Sequence, residues 1–181
     1  SSLARIGSGS ASRSITGPYC LWEQNEAFKI ENINMPKLSD IIVLIDKGQK
    51  SLSSTDGHKQ MINHPYKEIR VNNAINNSRS AIKALTDGSL EALGEVIERE
   101  ALELHALMMT SPSPFWLMKP MSLEIMNWVV QKRESGLISY FTLDAGANIH
   151  IISELSSREL IAKALANDFP SLDFIKDEQG D

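Results

Sequence analysis

One cysteine, Cys20, in 181 residues excludes an internal disulfide and suits a reducing compartment, read here as the cytoplasm. No apolar run approaches the roughly 20 residues of a membrane-spanning helix. Basic residues are outnumbered, 18 Lys and Arg against 23 Asp and Glu, for a net charge of −5. Broad, sequence-independent nucleic-acid binding wants a basic face and is not expected. An anionic ligand would have to be held by local groups. The four histidines, His58, His64, His105 and His150, have no metal-ligand spacing among themselves or with Cys20. Walker-type phosphate patterns are missing, and Lys47 and Lys50 stand isolated. The chain opens without an initiator Met or a signal-peptide pattern. Leu3 and Ile6 stand at helical spacing instead, as in the last turns of a helix begun earlier.

What is present is an ordinary globular composition, 42% hydrophobic and 23% charged. At this length folding buries roughly two-thirds of the unfolded chain's surface, enough for a real core. The stretch Gly7 to Ser14, with serines at 8, 10, 12 and 14, Gly9, Ala11 and Arg13, offers little to a core. Its glycines let a backbone approach a ligand, its hydroxyls and N–H groups can surround an oxyanion, and Arg13 supplies a planar cationic fork. A flexible Gly/Ser linker is the other reading. Against it, Ile15 to Trp22 continues straight into apolar and aromatic residues as a folded element does.

Pro18 to Ile33 alternates loosely around Asn25 and Glu26, which predicts a hairpin. Met35, Pro36 and Lys37 mark a domain boundary. Ile41 to Ile45 reads as a buried strand, and a second polar loop follows with Lys50, Ser51, Ser53, Ser54 and Thr55. Helical spacing then places Val71, Ile75, Ile82 and Leu85 on one inward face, with asparagines largely elsewhere, until Asp87-Gly88-Ser89 breaks it. Leu90, Leu93, Ile97, Ala101, Leu104 and Met108 mark an antiparallel partner helix. Ser111-Pro112-Ser113-Pro114 closes that pair, and Met108, Met109 and the Trp116 region are expected to pack beneath a cleft. A third helix is predicted from Pro120 to Glu134 with Leu123, Met126, Val129 and Val130 inward. Leu137 to Leu143 and Ile149 to Ile152 form a hairpin. A final helix begins at a capping box of Ser156, Ser157, Arg158 and Glu159, runs to Ala166, and leaves an acidic tail from Asp173. The order predicts an α+β chain, an antiparallel sheet covered by helices on one side.

Asp144 is the most informative titratable residue, because it stands where an apolar strand meets a turn of small residues. One reading is a turn or cap residue; the other is a general base or a group that positions a substrate hydroxyl. His105 lies near the apolar face of its helix and reads as a hydrogen-bonded core residue.

Taken in order, Gly7 to Ser14, Gly17 to Trp22, Lys50 to His58, His105-Ala106 with Ser111-Pro112, and Asp144 to Asn148 resemble the C-terminal half of the diphosphomevalonate decarboxylase family. That family lies within the galactokinase, homoserine kinase and mevalonate kinase (GHMP) superfamily, and the likeness covers nearly the whole chain. The resemblance implies that residues 1–36 end an N-terminal domain of the ribosomal protein S5 domain 2-like type. Residues 37–181 would form a GHMP-kinase-like C-terminal domain, with the active cleft between the two. It implies ATP-dependent decarboxylation of 5-diphosphomevalonate to isopentenyl diphosphate, ADP, phosphate and CO2. Carried over by motif, Ser8, Gly9, Ser10, Ala11, Ser12, Arg13 and Thr55 would hold the anionic groups of the substrate, with Ser53 and Ser54 nearby. Arg13 would face the substrate carboxylate, and Asp144 would orient or deprotonate the 3-hydroxyl. ATP would bring its own Mg2+ rather than find a protein-only metal site, and a homodimer is implied.

Three positions depart from the family pattern: His58 stands for a Met, Pro18 for a Gly, and Ala147 for the proline of the acidic turn, a change that would loosen it. The family's nucleotide phosphate loop and its substrate-contacting Lys and Tyr have no counterpart here, so the chain reads as the C-terminal part of a longer enzyme, inactive alone. Rival readings are a 3-hydroxyl kinase or monophosphate decarboxylase of the same superfamily, and a non-catalytic anion-binding module.

Overall fold

Period-two burial fixes the centre of the fold. Ser39, Ile41 and Val43 are buried while residues 38, 40, 42 and 44 are only half-covered, so one sheet face is dry and the other more open. The structure, a computed structural model, describes residues 18–23, 26–48, 63–144 and 146–179. In chain order its elements are β1 (Cys20–Glu23), β2 (Glu26–Lys29), β3 (Leu38–Leu44), α1 (Lys67–Asp87), α2 (Leu90–Met109), α3 (Pro120–Glu134), β4 (Tyr140–Thr142), β5 (Ile149–Glu154), a 3-10 turn (Leu155–Ser157), α4 (Arg158–Asp168) and β6 (Asp173–Glu178). β1 and β2 pair as an antiparallel hairpin with Cys20 opposite Lys29. The main sheet has the order β4-β5-β3-β6, antiparallel throughout, with Ile41 opposite Ile151 and Thr142 opposite His150.

Ile41, Val43, Phe141, Leu143, Ile149 and Ile151 meet Ile125 and Val129 of α3 and Ile161 and Leu165 of α4 on the dry face. Each such side chain contributes about 1.5–3 kcal/mol by leaving water. The expectation of an antiparallel sheet covered by helices is borne out, with α3 and α4 on the dry face. A second cluster, Ala84, Leu85 and Leu93, gathers Tyr19, Ile30, Ile33, Met35 and Leu38, so the β1–β2 hairpin and the chain after it lean on the α1–α2 corner. That corner turns at Gly88, whose φ of +74° is left-handed and whose Cβ would come within 2.9 Å of the Asn34 carbonyl oxygen. Ser89 then caps α2 by accepting the Ala92 N–H.

Five expectations need correction. In α1, Val71 and Ile75 are half exposed, and the seam with α2 is polar instead. Arg70 pairs with Glu100, Asn77 donates to Glu100 at 2.8 Å, and Asn73 donates to Glu103 at 3.1 Å. A hydrogen-bonded ionic seam satisfies residues that periodicity assigns to solvent. Burial pushes Glu100 up, but the bonds from Arg70 and Asn77 outweigh it and leave its carboxyl below the usual range. In α3, Leu123 is half exposed and Ile125 takes the buried place. Trp116 is 69% exposed and Met109 also lies at the surface, so only Met108 packs inward. The capping box at α4 does not form: a 3-10 turn intervenes, Ser157 makes no cap bond, and Glu159 pairs with Lys176 and Arg158. The acidic tail is the edge strand β6, hydrogen-bonded to β3 with Ile42 opposite Ile175. Its charged residues face water, as an edge strand requires.

Candidate active site

α2 lies along the free edge of β4 and runs in the same direction. Three contacts fix it there. Gly94 faces the Tyr140 ring so closely that a Cβ would lie 2.1 Å from the ring carbon. Glu98 accepts the Phe141 N–H at 3.1 Å, satisfying an edge donor that has no strand partner among the described residues. One of its carboxylate oxygens also takes Arg133 at 2.8 Å and the other at 3.1 Å, and that guanidinium stacks 4.3 Å from the Tyr140 ring centre. Farther along the same helix face, His105 Nε2 stands 3.1 Å from the Asp144 carbonyl oxygen. The spacing 94, 98, 105 keeps all three on one helix face, so the helix reads β4 from its start to the turn beyond it.

That turn, residues 144–148, is tied from three directions. The Gly146 N–H closes on the Asp144 carbonyl at 2.8 Å, beside the bond from His105. Ser122, fully buried in the first turn of α3, donates to the Ala147 carbonyl at 2.8 Å and accepts the Lys119 N–H at 3.0 Å. Asn148 Oδ1 accepts both the Ile45 and Asp46 N–H groups, at 2.9 and 2.8 Å, joining the turn to the end of β3. Asp46 in turn pairs with Lys119 at 2.6 Å and accepts the Gly48 N–H. The Lys119 bond, followed by that N–H, holds the Asp46 carboxyl below its usual range. The Asp144 side chain itself is exposed at the rim of this assembly. Ala147 is buried with its carbonyl fixed, so the turn is anchored without the proline that the family pattern has there.

His105 is 2% exposed, and burial pushes its pKa below the ordinary value while the carbonyl bond works the other way. A carbonyl only accepts, so the proton sits on Nε2. The expectation of a hydrogen-bonded core histidine holds. What the sequence did not reveal is the partner. Ser122 and a second pair, His150 with Asp40, were also missed. His150 Nδ1 lies 2.7 Å from Asp40 Oδ2 across the β3–β5 ladder, on the more open sheet face that also carries Thr142. No periodicity marks such a pair, because only strand register brings residues 40 and 150 together. The Asp40 bond raises the His150 pKa against its burial, with the Asp40 and Asp144 charges adding to the rise.

A raised imidazole stabilises the fold below its unfolded pKa of about 6.5, and that contribution is lost as pH rises through the folded value. Thermal unfolding of the protein and of its His150→Gln variant checks this. The melting difference should be largest near about pH 5.5 and shrink by about pH 8.5. A difference that grows with pH would refute it.

Of the site residues that the resemblance carries over, Asp144 alone lies among the described residues. Ser8, Gly9, Ser10, Ala11, Ser12, Arg13, Ser53, Ser54 and Thr55 lie outside them. Gly48, beside the tied turn, is the last described residue before residues 49–62. Among the described residues no group of three His, Cys, Asp or Glu could hold a metal ion, and no helix is long and apolar enough to cross a membrane.

An antiparallel α+β sheet roofed by helices, with an acidic turn at one strand end, defines a C-terminal unit of the GHMP-kinase fold. The sequence model of the mevalonate 5-diphosphate decarboxylase C-terminal domain matches residues 40–180. The chain belongs to that family. A diphosphomevalonate decarboxylase from Ganoderma lucidum is 24% identical over 197 residues, covering 99% of this chain and 49% of the relative. A mevalonate diphosphate decarboxylase structure from Staphylococcus aureus superposes with a TM-score of 0.86 at 32% identity, over 97% of this chain and 58% of the other. MDDEF in complex with MVAPP, AMPPCP and magnesium gives 0.87 at 31% identity, over 96% and 56%. The chain thus spans about half the length of the relatives it matches.

Proposed function

We propose that this chain works within a longer polypeptide, together with the half of its relatives that it does not span, as an ATP-dependent decarboxylase of 5-diphosphomevalonate. The observation that carries this reading is Asp144: an exposed carboxylate on a turn tied by His105, Ser122 and Asn148, within the family's acidic-turn motif. A fixed carboxylate suits a hydroxyl that must be oriented and relieved of its proton while phosphate is transferred to it. Asp144 would take that role at the 3-hydroxyl. Once the oxygen carries phosphate, the C–O bond breaks with its electrons leaving on phosphate. The C–C bond to the carboxylate then supplies the pair for the new double bond, releasing CO2.

Arg13 would set the leaving carboxylate opposite the developing positive centre without donating a proton. Ser8, Gly9, Ser10, Ala11 and Ser12, with Ser53, Ser54 and Thr55, would hold the remaining anionic groups through hydroxyl and N–H donors. The likeness to MDDEF with MVAPP, AMPPCP and magnesium supports ATP and Mg2+ as the co-substrate and its ion. The ion would screen the phosphate charges, arriving with the nucleotide. The domain boundary near residue 36, a homodimer and a cytoplasmic location complete the proposal.

The test is the full-length polypeptide incubated with 5-diphosphomevalonate, ATP and Mg2+. Equal amounts of ADP, phosphate and CO2 are expected. ADP without CO2 would make it a 3-hydroxyl kinase. Turnover of the 5-monophosphate alone would move the substrate. Neither product, together with diphosphate binding at Ser8, Ser10 and Arg13, would leave an anion-binding module.

A further inference from the structure

Resting on that reading of Asp144, we propose that His105 is a positioning residue for the reaction: as the Nε2–H tautomer it sets the direction of the Asp144 carboxylate by holding the Asp144 carbonyl.

The peptide after Asp144 is planar, so the direction of its C=O fixes the ψ angle of Asp144. Two donors converge on that oxygen, the Gly146 N–H at 2.8 Å and His105 Nε2 at 3.1 Å, and between them use both of its lone pairs. On the other side, Leu143 is buried in the core and Phe141 is paired with Ile151, which pins the chain entering Asp144. With both flanks fixed, the Cα–Cβ bond of Asp144 has one direction, and its exposed carboxylate leaves only side-chain rotation free.

Of these holds, the Gly146 bond is local to the turn and moves with it. The His105 bond refers the Asp144 carbonyl itself to a rigid external frame, whereas Ser122 and Asn148 hold the turn farther on, at residues 147 and 148. That frame is α2, locked to β4 through Gly94 against Tyr140 and Glu98 on the Phe141 N–H. At 2% exposure the ring has no solvent to turn into. Its other neighbours along the helix, Ala101 and Met108, are buried and apolar, so nothing else on that face can replace the donor. Nothing places His105 in contact with substrate. It acts through the backbone of Asp144, and a displacement of about 1 Å at a reacting group can cost on the order of 100-fold.

The experiment compares His105→Leu, His105→Gln and the double variant His105→Leu with Asp144→Asn in the full-length polypeptide, reading kcat and KM for CO2 release. Leu fills the volume without a donor, and its kcat should fall about 10- to 100-fold with KM for both substrates nearly unchanged. Gln retains an N–H donor of similar reach and should recover most of the loss. The double variant should be no slower than Asp144→Asn alone, because His105 works only through that carboxylate. Unchanged kcat in His105→Leu, or a further full loss in the double variant, would overturn the proposal. Should His105→Leu fail to fold, nitrogen NMR of the wild-type imidazole decides: an Nδ1–H tautomer overturns it, while an Nε2–H tautomer with normal kcat in His105→Gln supports it. Full activity of Asp144→Asn would instead sink the role of Asp144 itself, a separate failure seen in the same assay.

Discussion

Asp144→Asn in the full-length polypeptide is expected to lose CO2 release by about 10²- to 10⁴-fold while substrate and nucleotide still bind. Asparagine keeps the size of the side chain and its backbone anchors, since His105 and Gly146 hold the main-chain carbonyl rather than the carboxylate. It removes only the charge and the basic oxygen. The loss should therefore fall on kcat, with KM moving little. Binding by calorimetry alongside single-turnover CO2 release separates the two. Wild-type turnover in this variant would remove Asp144 from the mechanism and with it the reading of the turn as a site.

Glu98→Ala is expected to destabilise the fold by about 3–5 kcal/mol, because it strips one partner from a mostly buried ion pair. The side chains of Glu98 and Arg133 are only 14% and 22% exposed. Removing the carboxylate leaves the guanidinium without its anion and the Phe141 N–H without an acceptor at the sheet edge. Glu98→Gln should recover part of the loss, since a neutral acceptor still reaches Phe141. Denaturant unfolding of the full-length polypeptide measures both. A cost below about 1 kcal/mol for the alanine variant would mean that α2 does not hold β4 through this residue. A real loss should loosen β4 and lower turnover, which links the stability of the edge to the geometry of Asp144.

The departure of the helix faces from hydropathy spacing follows from the same kind of contact. Hydropathy spacing assumes that a helix buries its apolar stripe, yet α1 buries Asn77 and leaves Val71 and Ile75 half exposed. Its partner offers Glu100 and Glu103: Arg70 and Asn77 bond Glu100, and Asn73 bonds one oxygen of Glu103. Only knowledge of the facing helix could have revealed that preference. β6 was lost for a related reason: the run Asp173 to Glu178 is too polar to look like a strand, and becomes one because β3 offers it an unpaired edge.

Local rules were enough for the rest. The β-branched run at 41–45, the break at Gly88, the proline at the start of α3 and the small-residue turn after Leu143 each act over a few residues, so the sequence determined the α+β class, the hairpin that carries Asp144, and the motif order that leads to the family. Tertiary structure alone decided what holds that carboxylate in place: His105 from 39 residues upstream, Ser122 from 25 residues before Ala147, and Asn148 reaching back 103 residues to Ile45. A hydrogen bond depends on where two groups lie in space, and separation along the chain does not encode that position until the helices and strands have packed.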